Sequence, residues 1–576
     1  MSESISTAQR SAALEALGAE EFDVLVIGGG VTGAGIALDA ASRGLRTAVV
    51  EAQDWASGTS SRSSRLIHGG LRYLYNLDFK LVFEALTERA RLLTTIAPHL
   101  VEAQPFLWPL KTRAIERAYS AVGVGLYDVL SIVGAGGKKV VPIQHHLSKK
   151  GALERFPEIK HDALIGAIEF YDARVDDARL VIQLIRTATQ YDAVAVSRAK
   201  VTELDKGEGG RITGATVTDL ETGDTVKVRA KHVIAATGVW TEDTQDMAGG
   251  SGGLKVLASK GIHIVIPRDR LKAKSGMFLR TEKSVLFIIP WQHYWVIGTT
   301  DTAWHEQLKH PVPTSADIDY VLAHANEILE KPLTRDDIIG TYAGLRPLLQ
   351  PKVLDESKST KVSREHTVTE VAPGMIAIAG GKYTTYRVMA EDAVDFALGA
   401  KEAKKHPSVT ASLPLLGATG FDAMCNQSER LGAKYGFDAD RMHHLLRRYG
   451  SELTDLLATI DEDPTLAQPL AAAPQFIRAE VHRAAAVEGA LHLEDIFISR
   501  VRLNSESPDR GGSAVDEVAE ITAKALGWDE DRTAKEKASY RARIAAELAA
   551  QAAPSDVAAS EARMQAEDIV GDGVLV

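Results

Sequence analysis

Apolar and polar positions change period several times along the chain, and the changes divide it. From Phe22 the run DVLVIG reads as a short apolar strand. A glycine turn follows, GAGIALDAASRG carries apolar residues at helical spacing as far as Gly44, and RTAVVEA reads as a second buried strand. This order predicts a βαβ opening. Residues 80 to 96, KLVFEALTERARLLTTI, put apolar residues on one helical face and charges on the other, which predicts a packed surface helix. Between Arg211 and Ala236 the pattern alternates around the turn Glu221-Thr222-Gly223-Asp224 and then becomes continuously apolar, as for a hairpin that leads into a buried strand. The runs GIHIVIP, SVLFIIP and YWVIGTTD within residues 254 to 350 predict a mostly β layer. After Arg387 the chain becomes helix-rich.

The predicted architecture is therefore α/β, with a Rossmann-like nucleotide domain, a mostly β covering domain and a C-terminal helical domain. The expected divisions are an N-terminal extension over 1–20, a main region over 21–400 that contains the first two domains discontinuously, a linker over 401–414, the helical domain over 415–550 and a tail over 551–576. A chain of 576 residues exceeds what one core organises, in keeping with several domains.

Composition narrows the chemistry. A formal charge of -11 argues against nucleic acid as a partner. Cys425 is the only cysteine, so an internal disulfide or CxxC pair is excluded, redox chemistry requires a bound cofactor, and no metal-ligand spacing is evident. The first twenty residues lack the basic start and apolar core of a secretory signal, which predicts a cytoplasmic protein. No apolar run reaches the roughly 18 residues of a spanning helix, so membrane contact is expected only at the periphery. The segment 113–139, apolar and flanked by Arg113, Arg117, Lys138 and Lys139, reads equally well as an interfacial helix or as a hairpin packed on the core.

Gly28, Gly30 and Gly33 form G-x-G-x-x-G between the first strand and its helix, the context in which this motif indicates a dinucleotide. Gly28 allows the tight turn, Gly30 the approach of a pyrophosphate and Gly33 close helix–strand packing, with the helix N-terminus facing the anion. Glu51, at the end of the second strand, is placed to accept hydrogen bonds from a ribose diol and would repel a 2′-phosphate. These residues alone leave FAD and NAD open.

The segment TSSRSSRLIHGGLRYL, residues 59–74, resembles the FAD-dependent glycerol-3-phosphate dehydrogenase family, and so do KGIHIVIP, IPWQHYWVIGTTD, YAGLRPL, SREHTV and GGKYTTYR, in the same order. Arg65 stands where that family often has lysine. The resemblance covers roughly residues 20 to 540 and implies FAD, held by Ser60, Ser61, Ser64, His68, Gly69, Gly70, Thr237, Gly238, Asp301, Gly381, Lys382 and Thr384 besides the glycine motif and Glu51. It implies a substrate site for sn-glycerol 3-phosphate at Arg72, Tyr73, His263, Arg346, Arg364 and Lys382, with His263, Arg346 and Lys382 as the catalytic positions. Among these, neutral imidazole is the leading base near pH 7, and a cluster of cations suits a phosphate.

The implied reaction is oxidation to dihydroxyacetone phosphate with electrons passed to a quinone, at the inner face of the cell membrane. An oxidase using oxygen, an amine or amino-acid oxidase, and a flavin-binding sensor without turnover are the competing readings. Oligomeric state, including a homo-oligomer, stays open.

Overall fold

The computed structural model describes residues 4–71, 78–112, 115–249, 253–281, 285–350 and 366–570. Two large sheets share the main region. In the first, the strand Glu21–Ile27 pairs in parallel with Thr47–Val50 on one side and Thr225–Ala235 on the other. Met375–Gly380 and Val194–Val196 extend the parallel core outward. Strands buried on both faces have no polar alternation to show, which is why DVLVI and HVIAA read as continuous apolar runs. The helices Val31–Ser42, Asp177–Gln190 and Tyr386–Lys405 cover one face. The N-terminal helix Thr7–Ala19 and the hairpin strands Ala199–Lys206 and Ile212–Asp219 cover the other.

The second sheet is mixed and ten-stranded. Its centre is Lys255–Pro267, which pairs antiparallel with Gly340–Gln350 along its length and with Tyr294–Gly298. Helix Ser315–Asn326 packs on one face, and helices Phe79–Arg91 and Ile115–Gly134 on the other. Because the chain crosses between the sheets more than once, residues far apart in sequence meet at their junction.

The segment 113–139 begins outside the described residues and forms the helix Ile115–Gly134. It buries Val124 and Tyr127 against the core while Val122, Val129 and Val133 stay exposed, Val122 at 73%. No described helix is long and apolar enough to cross a membrane.

Helices dominate from Phe421 to Ala552, with one small hairpin at Pro469–Ile477. The last helix, Asp556–Arg563, returns to the β sheet, where Asp556 and Asp317 both pair with Lys260. Beyond it, Asp568 pairs with Lys309 at 2.5 Å and His310 at 2.9 Å.

Candidate active site at the junction of the sheets

The nucleotide end is built by backbone constraint. Gly28 adopts φ +109°, and a Cβ there would lie 2.7 Å from the Ala236 carbonyl oxygen, so only glycine fits. A Cβ on Gly33 would come to 1.9 Å from the Gly28 oxygen, and its absence lets the helix Val31–Ser42 sit against the strand. Gly30 starts that helix. The Ser60 hydroxyl accepts the Val31 N–H at 2.9 Å, so a short polar side chain faces the helix N-terminus. Glu51 accepts from the N–H groups of Gly29 at 2.6 Å and Gln53 at 2.7 Å. Burial pushes its carboxyl up and these two amides oppose that shift. Thr237 and Gly238 follow the strand Thr225–Ala235, with the Thr237 hydroxyl accepting from Thr244.

Toward the second sheet a cleft opens, lined by Ser64, His68, His263, Arg346, Gly381 and Lys382 among others. Strand register explains the grouping. His263 lies opposite Tyr342, Gly261 opposite Gly344 and Ser259 opposite Arg346, so side chains two residues apart share one face. A Cβ on Gly261 would meet the Arg346 guanidinium at 2.5 Å, so the glycine makes the room that arginine uses. His68 is held by Thr384, whose hydroxyl accepts the His68 N–H and donates to its carbonyl, both at 3.2 Å. The Gly69 N–H donates to the Tyr127 hydroxyl, which donates to Asp172 at 2.5 Å, and Arg89 pairs with Asp172 at 2.6 Å. That buried chain pins the Gly69–Gly70 turn.

His263 is the most constrained polar group of the cleft. It is 2% exposed, its Nε2 lies 2.9 Å from the Ser64 hydroxyl, and its ring stacks on Tyr342 at 4.8 Å and 16°. Burial, and then the charges of Arg346 and Arg65, push its pKa well below the usual histidine value, so the ring is neutral. Tyr342 in turn lies under the Arg65 guanidinium at 5.4 Å and donates to the Ser63 carbonyl. Arg65 is buried against Tyr294 and pairs with Glu506 of the helical region at 3.2 Å.

Arg346 donates to the Thr300 carbonyl at 3.0 Å and the Thr299 hydroxyl at 2.9 Å, and reaches Asp301 at 3.3 Å. Asp301 also accepts from Ser259. Arg72, Tyr73 and Arg364 lie outside the described residues. Sequence reasoning passed over Tyr342 and the Arg89–Asp172–Tyr127 chain. The alternation Tyr342-Gly344-Arg346 within YAGLRPL was a usable signal for the first. The second joins three separate elements and left none.

The residues fit FAD. Glu51 and the glycine turn suit the adenosine ribose and the pyrophosphate. The Ser61 hydroxyl and His263 Nδ1 are buried polar atoms without a hydrogen-bond partner among the described residues, as expected of a wall that faces a polar group. Fold and site together define a flavin-dependent oxidoreductase.

Comparison with known proteins agrees and is more specific. Residues 23–387 match the family of FAD dependent oxidoreductases, and residues 408–533 match the C-terminal domain of alpha-glycerophosphate oxidase. Glycerol-3-phosphate dehydrogenase 2 of Mycobacterium tuberculosis is 52% identical over 561 residues, covering 97% of this chain and 94% of that protein. The mitochondrial glycerol-3-phosphate dehydrogenase of Homo sapiens is 37% identical over 532 residues, covering 88% and 71%. The structure of glycerol-3-phosphate dehydrogenase from Bacillus halodurans complexed with FAD superposes with a TM-score of 0.74 at 28% identity, covering 94% of this chain and 97% of that one. The chain belongs to the FAD-dependent glycerol-3-phosphate dehydrogenase family, and FAD is its cofactor.

Proposed function

We propose that the protein oxidises sn-glycerol 3-phosphate at C2 to dihydroxyacetone phosphate and delivers the electrons to a membrane quinone. The observation that carries the reading is a buried, neutral His263, hydrogen-bonded through Nε2 to Ser64, in the same cleft as the cationic side chains of Arg346 and Lys382. Bound FAD supplies the hydride acceptor.

The protein must remove the C2 hydroxyl proton and hold the phosphate. His263 receives the proton at Nε2, and the Ser64 hydroxyl, already in contact, relays it: Ser64 takes the substrate proton as its own passes to the imidazole. Stacking on Tyr342 fixes the ring so that the transfer needs no reorientation. Arg346, aligned by Thr299 and Thr300, offers its guanidinium to phosphate oxygens. Lys382 lines the same cleft, and Arg72, Tyr73 and Arg364 complete the phosphate clamp by resemblance.

A quinone is favoured over oxygen by an adjoining cavity that shares Ser64, His68 and Arg346 with the cleft and is walled by Phe170, Phe278 and Phe287. An apolar acceptor gains from such a wall, whereas oxygen needs none. Val122, Val129 and Val133 recur on one helical face, with exposed Phe79 and Phe83 on the neighbouring helix, which supports peripheral docking on the inner face of the cell membrane.

The test is anaerobic. Glycerol 3-phosphate should bleach the flavin of the purified protein, and a short-chain quinone should restore the colour faster than air does. Recovery by air alone would make the protein an oxidase, and an unbleached flavin would remove the substrate assignment. Co-sedimentation with anionic vesicles at low salt tests the membrane reading separately, and a protein left in the supernatant would end it.

A further inference from the structure

The loop that presents Ser60 to the helix N-terminus also carries Arg62, which borders the flavin cleft and a second cleft against the C-terminal region. The second cleft is also lined by His310, Arg543, Glu547 and Arg563. The Arg62 guanidinium makes no hydrogen bond or ion pair with any described residue. Its charged neighbours are Arg543, Glu547, Arg563 and Glu494.

Neither carboxylate is available to it. Glu547 is held by Arg543 at 2.8 Å and Arg510 at 3.0 Å, and Glu494 by Arg543 at 2.7 Å and Arg198 at 2.9 Å. Arg563, 2% exposed, donates to the Ala566 carbonyl at 3.1 Å and meets His310 Nδ1 at 3.4 Å, neutral partners that leave its charge unanswered, while the carboxylate it reaches, Asp568 at 3.7 Å, is engaged by Lys309 and His310. His310 adds no compensating charge. Burial and the neighbouring Arg563 and Arg543 outweigh its contact with Asp568, and its pKa falls to about 4. Positive charge is therefore left over inside a cleft, the situation that costs stability unless an anion answers it.

We propose that this cleft binds a small tetrahedral oxyanion, inorganic phosphate or a phosphomonoester, between Arg62 and Arg563. A tetrahedral dianion brings two charges and oxygens enough for two guanidiniums arriving from different segments. Burial and the surrounding arginines lower both side chains to about 10, so each gains from such a ligand. Arg346 does not line this cleft, although Arg62 also borders the flavin cleft that Arg346 serves. The site ties the last helix to the loop that carries Ser60 and Ser64, so its occupancy stiffens the segment beside the flavin.

The experiment uses the FAD-loaded protein with chloride at constant ionic strength. Inorganic phosphate is titrated by calorimetry against wild type, Arg346→Met and the double variant Arg346→Met/Arg62→Met. Phosphate binding should persist in Arg346→Met and weaken by roughly tenfold or more in the double variant, as expected for a lost charge-assisted contact. Glycerol 3-phosphate titrated into the same pair tells a phosphomonoester site from one for the free ion, and either result supports the proposal. Melting provides the second arm. Without phosphate, Arg62→Met should melt above wild type, because an unpaired charge has been removed, and saturating phosphate should shrink that margin. Loss of all phosphate binding in Arg346→Met, or an Arg62→Met variant that melts below wild type with and without phosphate, overturns the proposal.

Discussion

The arginines of the flavin cleft and those of the seam with the C-terminal region are the same side chain put to opposite uses. At the seam, Arg179 meets Glu488 at 2.8 and 3.2 Å, Arg186 meets Glu452 at 2.7 and 2.9 Å, and Arg500 meets Asp54 at 2.6 and 2.9 Å. All three pairs are buried and use both terminal guanidinium nitrogens. Arg346 instead is 27% exposed and donates to a carbonyl and a hydroxyl at 3.0 and 2.9 Å, while Asp301, which it reaches at 3.3 Å, also accepts from Ser259. A buried guanidinium whose charge a carboxylate already answers gains little from an anionic ligand. One oriented by a carbonyl and a hydroxyl at the rim of a cleft is placed to receive one. Arginine chemistry in this protein is therefore legible from what each side chain is bonded to.

The largest effect is expected at the seam. Glu488→Gln leaves Arg179 buried without its counter-charge, at a cost of about 3–5 kcal/mol for breaking one partner of such a pair. Arg179 and Arg483 hold the Glu488 carboxyl far below its usual range, so the anion is what the site requires. The variant should melt well below wild type, while turnover per bound flavin at low temperature stays unchanged. Equal melting temperatures would show that the seam pairs do not bear the stability assigned to them.

At the cleft the order reverses, and stability should hardly move. Arg346→Met should lower kcat/KM for glycerol 3-phosphate by at least roughly tenfold, because each charge-assisted hydrogen bond contributes about 1.5–3 kcal/mol. Flavin content should stay normal, and flavin reduction by glycerol at high concentration should suffer little. If both substrates lose the same factor, Arg346 acts on the flavin or on transfer geometry instead. The same variant carries a second signature. Arg346 is the foremost charge that lowers the His263 pKa, so its removal should move the acid limb of kcat/KM to higher pH.

The fold was readable wherever local pattern and tertiary role coincide. DVLVIG followed by GAGIAL could be read because Gly28 needs its positive φ, Gly33 needs its missing Cβ and Glu51 reaches back to Gly29, all within one βαβ unit. His263 and Arg346 were found through resemblance, although their alternation with Gly261 and Gly344 already put them on one sheet face. What could not be read is what joins distant segments. Arg179 and Glu488 are 309 positions apart, and nothing near either residue names the other. The segment 113–139 stayed ambiguous for a related reason. Its period defines an apolar stripe, but only Asp172 and Arg89, from other elements, draw Tyr127 inward and leave Val122 and Val129 outside. Arg72, Tyr73 and Arg364 lie outside the described residues and rest on resemblance alone.

The test that separates the two regions without touching an arginine is the pH dependence of their histidines, an effect spread over several pH units. His492, at the seam, is hydrogen-bonded to Glu221 and Glu536, both at 2.8 Å, and these contacts outweigh its burial and raise its pKa to about 9. A raised histidine stabilises the fold fully below its unfolded value near 6.5, and the contribution is lost as pH rises through about 9. His263 in the cleft has the opposite shift, driven first by burial. Near pH 7 it costs nothing by titration, but as pH falls below about 6.5 the unfolded chain takes up a proton that the folded ring refuses, and stability declines. Each site changes stability by at most about 1.4 kcal/mol per pH unit. His492→Gln should therefore lose more stability relative to wild type at pH 6 than at pH 9.5, whereas His263→Gln should compare better with wild type at pH 5 than at pH 8. Denaturant unfolding of the FAD-loaded proteins at these pH values gives the four differences, and two variants whose deficits move in the same direction with pH would show that cleft and seam do not hold their histidines in opposite protonation states.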